Sequence, residues 1–144
     1  MTDSILLGGA PEGFDAQLVA RESARGPVIH IARDDRRMAA MREALALFDP
    51  SLPVLDLPAW DCLPYDRVSP NPDIAARRLA TLAALARGLS GPLVLLTTLS
   101  AATQRVPAAQ TLREAAFSAK LGDRVDETGL RTFLQRMGFT PTAT

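Results

Sequence analysis

The segment PLVLLT at residues 92–97 constrains this chain more than any other, because it is a continuous apolar run with no alternation and no charge. A strand that is apolar on both faces belongs inside a sheet covered on both sides, which means parallel strands joined by crossover helices. The flanking sequence follows that pattern, with short apolar runs alternating with segments of helical period. Ser4 to Leu7 reads as a first strand ended by Gly8 and Gly9, and a helix follows over about Gly13 to Ala24, stopped by Gly26-Pro27. Pro27 to Ala32 (PVIHIA) reads as a second strand. From a cap at Asp34 or Asp35, Met38, Met41, Leu45 and Phe48 recur at the spacing of an amphipathic helix. Leu52 to Leu57 reads as a strand interrupted by Pro53.

Residues 58–72 carry prolines at 58, 64, 70 and 72, which forbid a continuous helix and disfavour central strand pairing, so this stretch is an ordered loop or pair of turns. Asn71 then supplies an N-cap and Pro72 the first helical position, for a helix to Arg87 expected to bury Ala75, Leu79, Leu82 and Leu85 or Ala86, with Gly88 closing it as an αL residue. After Pro107 the pattern changes. Ala115 to Leu121 reads as a further strand, Gly122-Asp123 as a turn, and Asp126 to Met137 as a helix terminated by Gly138. This last unit reads as the start of a second domain, with the boundary at 113/114.

Composition removes several function classes. Sixteen Lys+Arg against sixteen Asp+Glu give zero formal charge, so no global positive field grips a phosphate backbone or an anionic membrane. The lone Cys62 and the lone His30 exclude an internal disulfide, a cysteine zinc site and most histidine metal clusters, so no metal is expected. No apolar run approaches a bilayer span, and MTDSILLGG lacks the basic start and apolar core of a signal peptide, so the expected compartment is the cytoplasm and no membrane partner is expected.

At the first strand-to-helix junction, Gly8 and Gly13 stand at the spacing of a phosphate-binding loop. The next two positions are wrong for it: Phe14 replaces the lysine and Asp15 the hydroxyl that would hold Mg²⁺. A carboxylate ~4 Å from a phosphate charge costs about 4 kcal/mol at an effective dielectric near ~20. Pro11 removes a backbone donor as well. The segment is therefore either an ordinary glycine turn or a relic P-loop without its nucleotide, and neither catalytic residues nor a cofactor are expected.

A second segment bears on that choice. Trp60, Asp61-Cys62-Leu63, Pro64, Tyr65, Asp66, Ser69, Pro70, Asp73, Ile74, Arg77, Leu79, Thr81 and Leu82, followed by Leu99 and Gln104-Arg105-Val106-Pro107, form a long string, LPYDxxSPxxDIxxxRLxTL at its centre. It resembles the N-terminal region of the bacterial transcription-repair coupling factors, in register from about Leu6 to Gly138. The resemblance implies a UvrB-like module, similar to the damage-verification helicase of excision repair. It also implies a three-layer α/β sandwich with a mostly parallel sheet, on a degenerate RecA-like P-loop NTPase domain over residues 1–113. From 114 to 144 it implies the start of the domain that docks the excision-repair protein UvrA. Full-length family members resemble ATP-dependent DNA translocases that displace stalled RNA polymerase, so the implied partners are UvrA, RNA polymerase, duplex DNA and the other domains of the parent protein. For this piece the implied role is a non-catalytic scaffold for recruitment and autoinhibition. The related helicase inserts a β-hairpin after its tyrosine-rich segment; here only Asp66 to Asn71 separate Tyr65 from the proline opening the next helix, which leaves no room for one and argues for weak or no nucleic-acid binding.

Single residues carry bland readings. His30 is a strand histidine, Cys62 a packed loop cysteine, and Trp60 and Tyr65 pin the loop onto the core. Asp66, Asp73, Arg77 and Arg78 are expected to form ion pairs fixing the loop to the following helix, the alternative being a contact to DNA or to a neighbouring domain. Two competing readings remain: an active nucleotide-binding enzyme on a doubly wound fold, using polar groups near Gly8, Thr97 and Thr98, and a DNA-binding module acting through Arg77, Arg78 and Arg105.

Overall fold

A computed structural model describes residues 4–63, 65 and 67–142. Three parallel strands, β1 (Val28–Ala32), β2 (Val54–Leu57) and β3 (Val94–Thr98), lie in the order β1-β3-β2. β3 pairs with both neighbours, in register Val28 to Val94 on one side and Val54 to Val94 on the other. All five β3 residues are buried, as their uninterrupted apolar run requires.

Each sheet face carries helices. Val94 and Leu96 pack with α1 (Phe14–Ser23) and α2 (Asp35–Phe48) around Ala16, Met38, Met41 and Leu45. Leu95 and Leu57 pack on the other face with α3 (Pro72–Arg87) and Leu112 of α5 (Ala109–Glu114). Between them, α4 (Leu99–Ala102) turns the chain straight out of β3, and α6 (Glu127–Arg136) follows near the end. The architecture is α/β, a small parallel sheet with helices on both faces.

The caps act as their sequence chemistry dictates. Asp34 accepts from the Arg37 N–H at 2.8 Å, and Asn71 accepts from the Asp73 N–H at 2.9 Å. Gly138, at φ 87°, closes α6 while the Phe139 N–H reaches back to the Leu134 carbonyl and the Gly138 N–H to that of Gln135, the paired bonds of a Schellman ending.

Several expectations fail for physical reasons. Ser4 to Leu7 is not a strand: no neighbouring edge pairs with it, and Ile5 and Leu6 are 84% and 96% exposed. Ala115 to Leu121 is likewise unpaired coil with Leu121 fully exposed. In α3, Leu82 and Ala86 are buried as expected, but Arg78 and Thr81 are buried with them, while Leu79 faces out and Ala75 is half-buried. Burying Arg78 is tolerated because the chain supplies it with partners, described below. In α1 the inward face is Ala16 and Ser23, and in α2 the stripe ends at Leu45, leaving Phe48 exposed. Gly88 has φ 91° but ψ 140°, so it ends α3 outside the αL region.

Candidate functional site

The proline-rich loop leaves β2 and crosses to the start of α3, and its anchor is Arg78. This side chain is 1% exposed, its guanidinium lies 4.6 Å from the centroid of the Trp60 ring, and one terminal nitrogen donates to the Pro58 carbonyl. A desolvated guanidinium over an indole gains roughly 2 kcal/mol, and a flat cation suits that stacking better than an ammonium does. Burial lowers the Arg78 pKa from its ordinary value, because desolvation disfavours the charged form. Among the described residues its Nε has no hydrogen-bond partner. The Gln104 side-chain oxygen accepts the Trp60 backbone N–H at 3.2 Å. Trp60 is thus gripped between the helix that follows the loop and the segment that follows β3.

Asp61 closes the other end of the loop by accepting the Asn71 N–H at 3.2 Å on both of its oxygens. The Thr81 hydroxyl donates to the Asp56 carbonyl, and Asp56 pairs with Arg42 at 2.7 Å. A cleft of about 390 Å³ opens here between α2, the loop and α3, lined in part by Asp35, Arg42, Asp61 and Arg77 beside Trp60.

These contacts revise the expected roles. Among the described residues, Asp73, Arg77 and Arg78 make no ion pair: the Arg77 Nε instead reaches the Asp73 backbone carbonyl at 3.4 Å, and Arg78 is spent on Pro58 and Trp60. Pro64 and Asp66 lie outside the described residues. Trp60 packs as expected, but Tyr65 does not: it is fully exposed with φ 77°. Ser69 is exposed, Pro70 half-buried, and Arg105 exposed beside the engaged Gln104. Of the three arginines that the competing DNA-binding reading invokes, Arg78 is buried beyond reach of any phosphate.

At the strand C-termini, where doubly wound folds bind ligands, the polar groups are already committed. The Thr97 hydroxyl donates to the Leu57 carbonyl at 3.0 Å, and the Thr98 hydroxyl accepts the Ala101 N–H at 3.3 Å, capping α4. Gly13, at φ 86°, opens α1 without a side-chain cap, and Phe14 and Asp15 stand exposed in its first turn. Gly8 lies in coil, without the buried strand that a phosphate loop leaves. A cleft of about 490 Å³ flanks this turn, where Glu12, Asp15 and Glu43 face Arg33, Arg37 and His30. Burial lowers the His30 pKa below its ordinary 6.5, against an opposing influence from Asp15. Among the described residues no group of acidic, histidine and cysteine side chains is placed to hold a metal, and no helix is long and apolar enough to cross a membrane.

Fold and loop together define a parallel α/β domain whose motif residues brace a loop between two layers. No protein-family profile matches the chain, and no solved structure matches it. Curated relatives do. The transcription-repair-coupling factor of Escherichia coli is 35% identical over 136 residues, covering 93% of this chain and 12% of that protein. Those of Haemophilus influenzae (28% over 138 residues, 95% of this chain) and Myxococcus xanthus (32% over 121 residues, 80%) match along most of the same length. The chain carries a region of the transcription-repair coupling factor family, and it spans about 12% of the length of the first two of these relatives.

Proposed function

We propose that this chain is a non-catalytic scaffold and recruitment segment of a transcription-repair coupling factor, built on a RecA-like domain that has lost its nucleotide. The observation that carries the reading is the first turn of α1, where an aromatic ring and a carboxylate occupy the positions that a triphosphate site fills with lysine and a hydroxyl. The committed Thr97 and Thr98 hydroxyls support it, because a working crevice keeps such groups free for ligand. So does the braced loop, which carries no hairpin and presents Leu63, Tyr65 and Val68 outward as contact residues rather than a basic groove.

Residues 1–113 form the RecA-like unit in this reading, and 114–144 open the unit that docks the excision-repair protein UvrA. Support for that boundary comes from burial: between residues 115 and 142 no side chain is buried, and the Phe117 and Phe133 rings meet only at 6.0 Å. Displacement of RNA polymerase and translocation on duplex DNA belong, in this reading, to the remainder of the parent in the cytoplasm.

Passing UvrA and duplex DNA separately over the immobilised chain tests the proposal. The expected result is a UvrA response that Leu130→Asp, at a half-buried position of α6, reduces, and no DNA response at low salt. DNA binding strengthened by Mg·ATP would refute the scaffold role.

A further inference from the structure

The side of β2 that faces away from β3 is closed by the chain's own side chains. In the parallel ladder Val94 stands opposite Val54, and its N–H donates to the Pro53 carbonyl. That phase turns the N–H and C=O groups of Leu55 and Leu57 toward β3 and those of Val54 and Asp56 away from it. The same alternation turns the Pro58 carbonyl away, and Pro58 has no N–H to offer. Each of these three outward carbonyls has a side-chain donor. Arg42 of α2 donates to that of Val54 at 3.3 Å, and from α3 the Thr81 hydroxyl donates to that of Asp56 and Arg78 to that of Pro58. The Asp56 carboxylate holds Arg42 in place at 2.7 Å.

Strand edges are templates for further pairing, and charge, proline and a covering element are the devices that blunt them. All three meet on this four-residue strand, and one of the donors is an arginine kept at 1% exposure although a buried cation is costly. We propose that β2 is built as the terminus of the sheet, with Arg42, Thr81 and Arg78 as its guards, so that partners meet this flank through side chains and not by adding a strand. The donors belong to this chain. A strand from any other segment, copy or protein would therefore have to displace them, whatever else the sheet receives elsewhere. The buried position of Arg78 then serves two ends at once: it stacks on Trp60 and it occupies the last outward carbonyl before the loop.

Removing guards at constant volume tests this. Arg42→Met with Asp56→Asn deletes one donor and the charge that anchors it, and Thr81→Val deletes a second, while the Arg78–Trp60 stack is left alone. In sedimentation velocity this triple variant of the 144-residue chain is expected to self-associate at least ~10-fold more tightly than the unsubstituted chain, the gain of a few ladder bonds. Val54→Pro then identifies the contact. The N–H of Val54 points away from β3, so proline removes a donor that an added strand needs and spares the native ladder. In the triple background it should return association to the level of the unsubstituted chain. The pair Arg42→Met with Asp56→Asn should shift association in the same direction by a smaller factor, and it reads the edge if the triple variant does not fold. Association unchanged in the folded guard variants, or a gain that Val54→Pro fails to reverse, overturns the proposal.

Discussion

Replacing Arg78 tests whether the motif loop is braced from beneath. Truncation in Arg78→Ala removes the stacking on Trp60, about 2 kcal/mol when desolvated, and the charged donor to the Pro58 carbonyl, about 1.5–3 kcal/mol. It also opens a cavity under the loop. Against these losses stands relief: the variant no longer buries a cation whose Nε lacks a partner among the described residues, a burden of several kcal/mol for an ion held away from water. The net expectation is a loss of about 3 kcal/mol. Arg78→Met refills the volume but loses the cation–π stacking and leaves the Pro58 carbonyl without its donor, losses partly offset by no longer burying a charge, for a net cost of about 1 kcal/mol. Arg78→Lys keeps the charge but not the planar stacking, and should fall between them. Urea unfolding followed by far-UV circular dichroism gives the three values, with emission from Trp60, the sole tryptophan, reporting the loop. An alanine variant within about 1 kcal/mol of the parent, or a methionine variant worse than alanine, would refute the brace.

Three further outcomes follow from the same contacts. Trp60→Ala should cost about 3 kcal/mol, while Tyr65→Ala, fully exposed, should change stability by no more than ~0.5 kcal/mol; a reversed order in thermal melts would show that the loop packs by its other aromatic. Leu96→Ala, at a fully buried site in the central strand, should cost about 2–5 kcal/mol in urea, and a smaller value would mean the sheet face is not the core described. Stability should decline on acidification in two windows. Burial lowers the His30 pKa, so the unfolded chain takes the proton first and stability is lost as pH falls below about 6.5. The Arg37 N–H on Asp34 and the Ser51 hydroxyl on Asp49 lower those carboxyl pKa values, so their contribution is present above 3.8 and lost as pH falls through the lower folded values. His30→Gln should flatten the first window alone in melts taken from pH 7 to 3.

Much of this arrangement is written locally. Met38, Met41 and Leu45 at helical spacing and the unbroken apolar run of β3 place the layers, because periodicity and burial act within one element. Asn71 before Pro72 and Asp34 before α2 mark helix starts by a donor and acceptor only two or three residues apart. What the pattern misses is non-local. Ser4–Leu7 has strand composition, but a strand exists only where an edge receives it. The inward turn of Arg78 depends on a carbonyl twenty residues away and on Trp60, so hydropathy alone favours Leu79. The Trp60–Gln104 bond joins residues 44 positions apart; the shared motif contains both, yet nothing in it says they touch. Tyr65 reads as an anchor by type but stands in solvent, while Trp60 takes the place over Arg78.

The loss of a nucleotide from the first turn of α1 is the claim on which the functional account depends, and equilibrium titration of the chain with labelled Mg·ATP addresses it directly. No saturable binding up to millimolar nucleotide is expected. Micromolar affinity that disappears when Gly13 or Asp15 is substituted would contradict it.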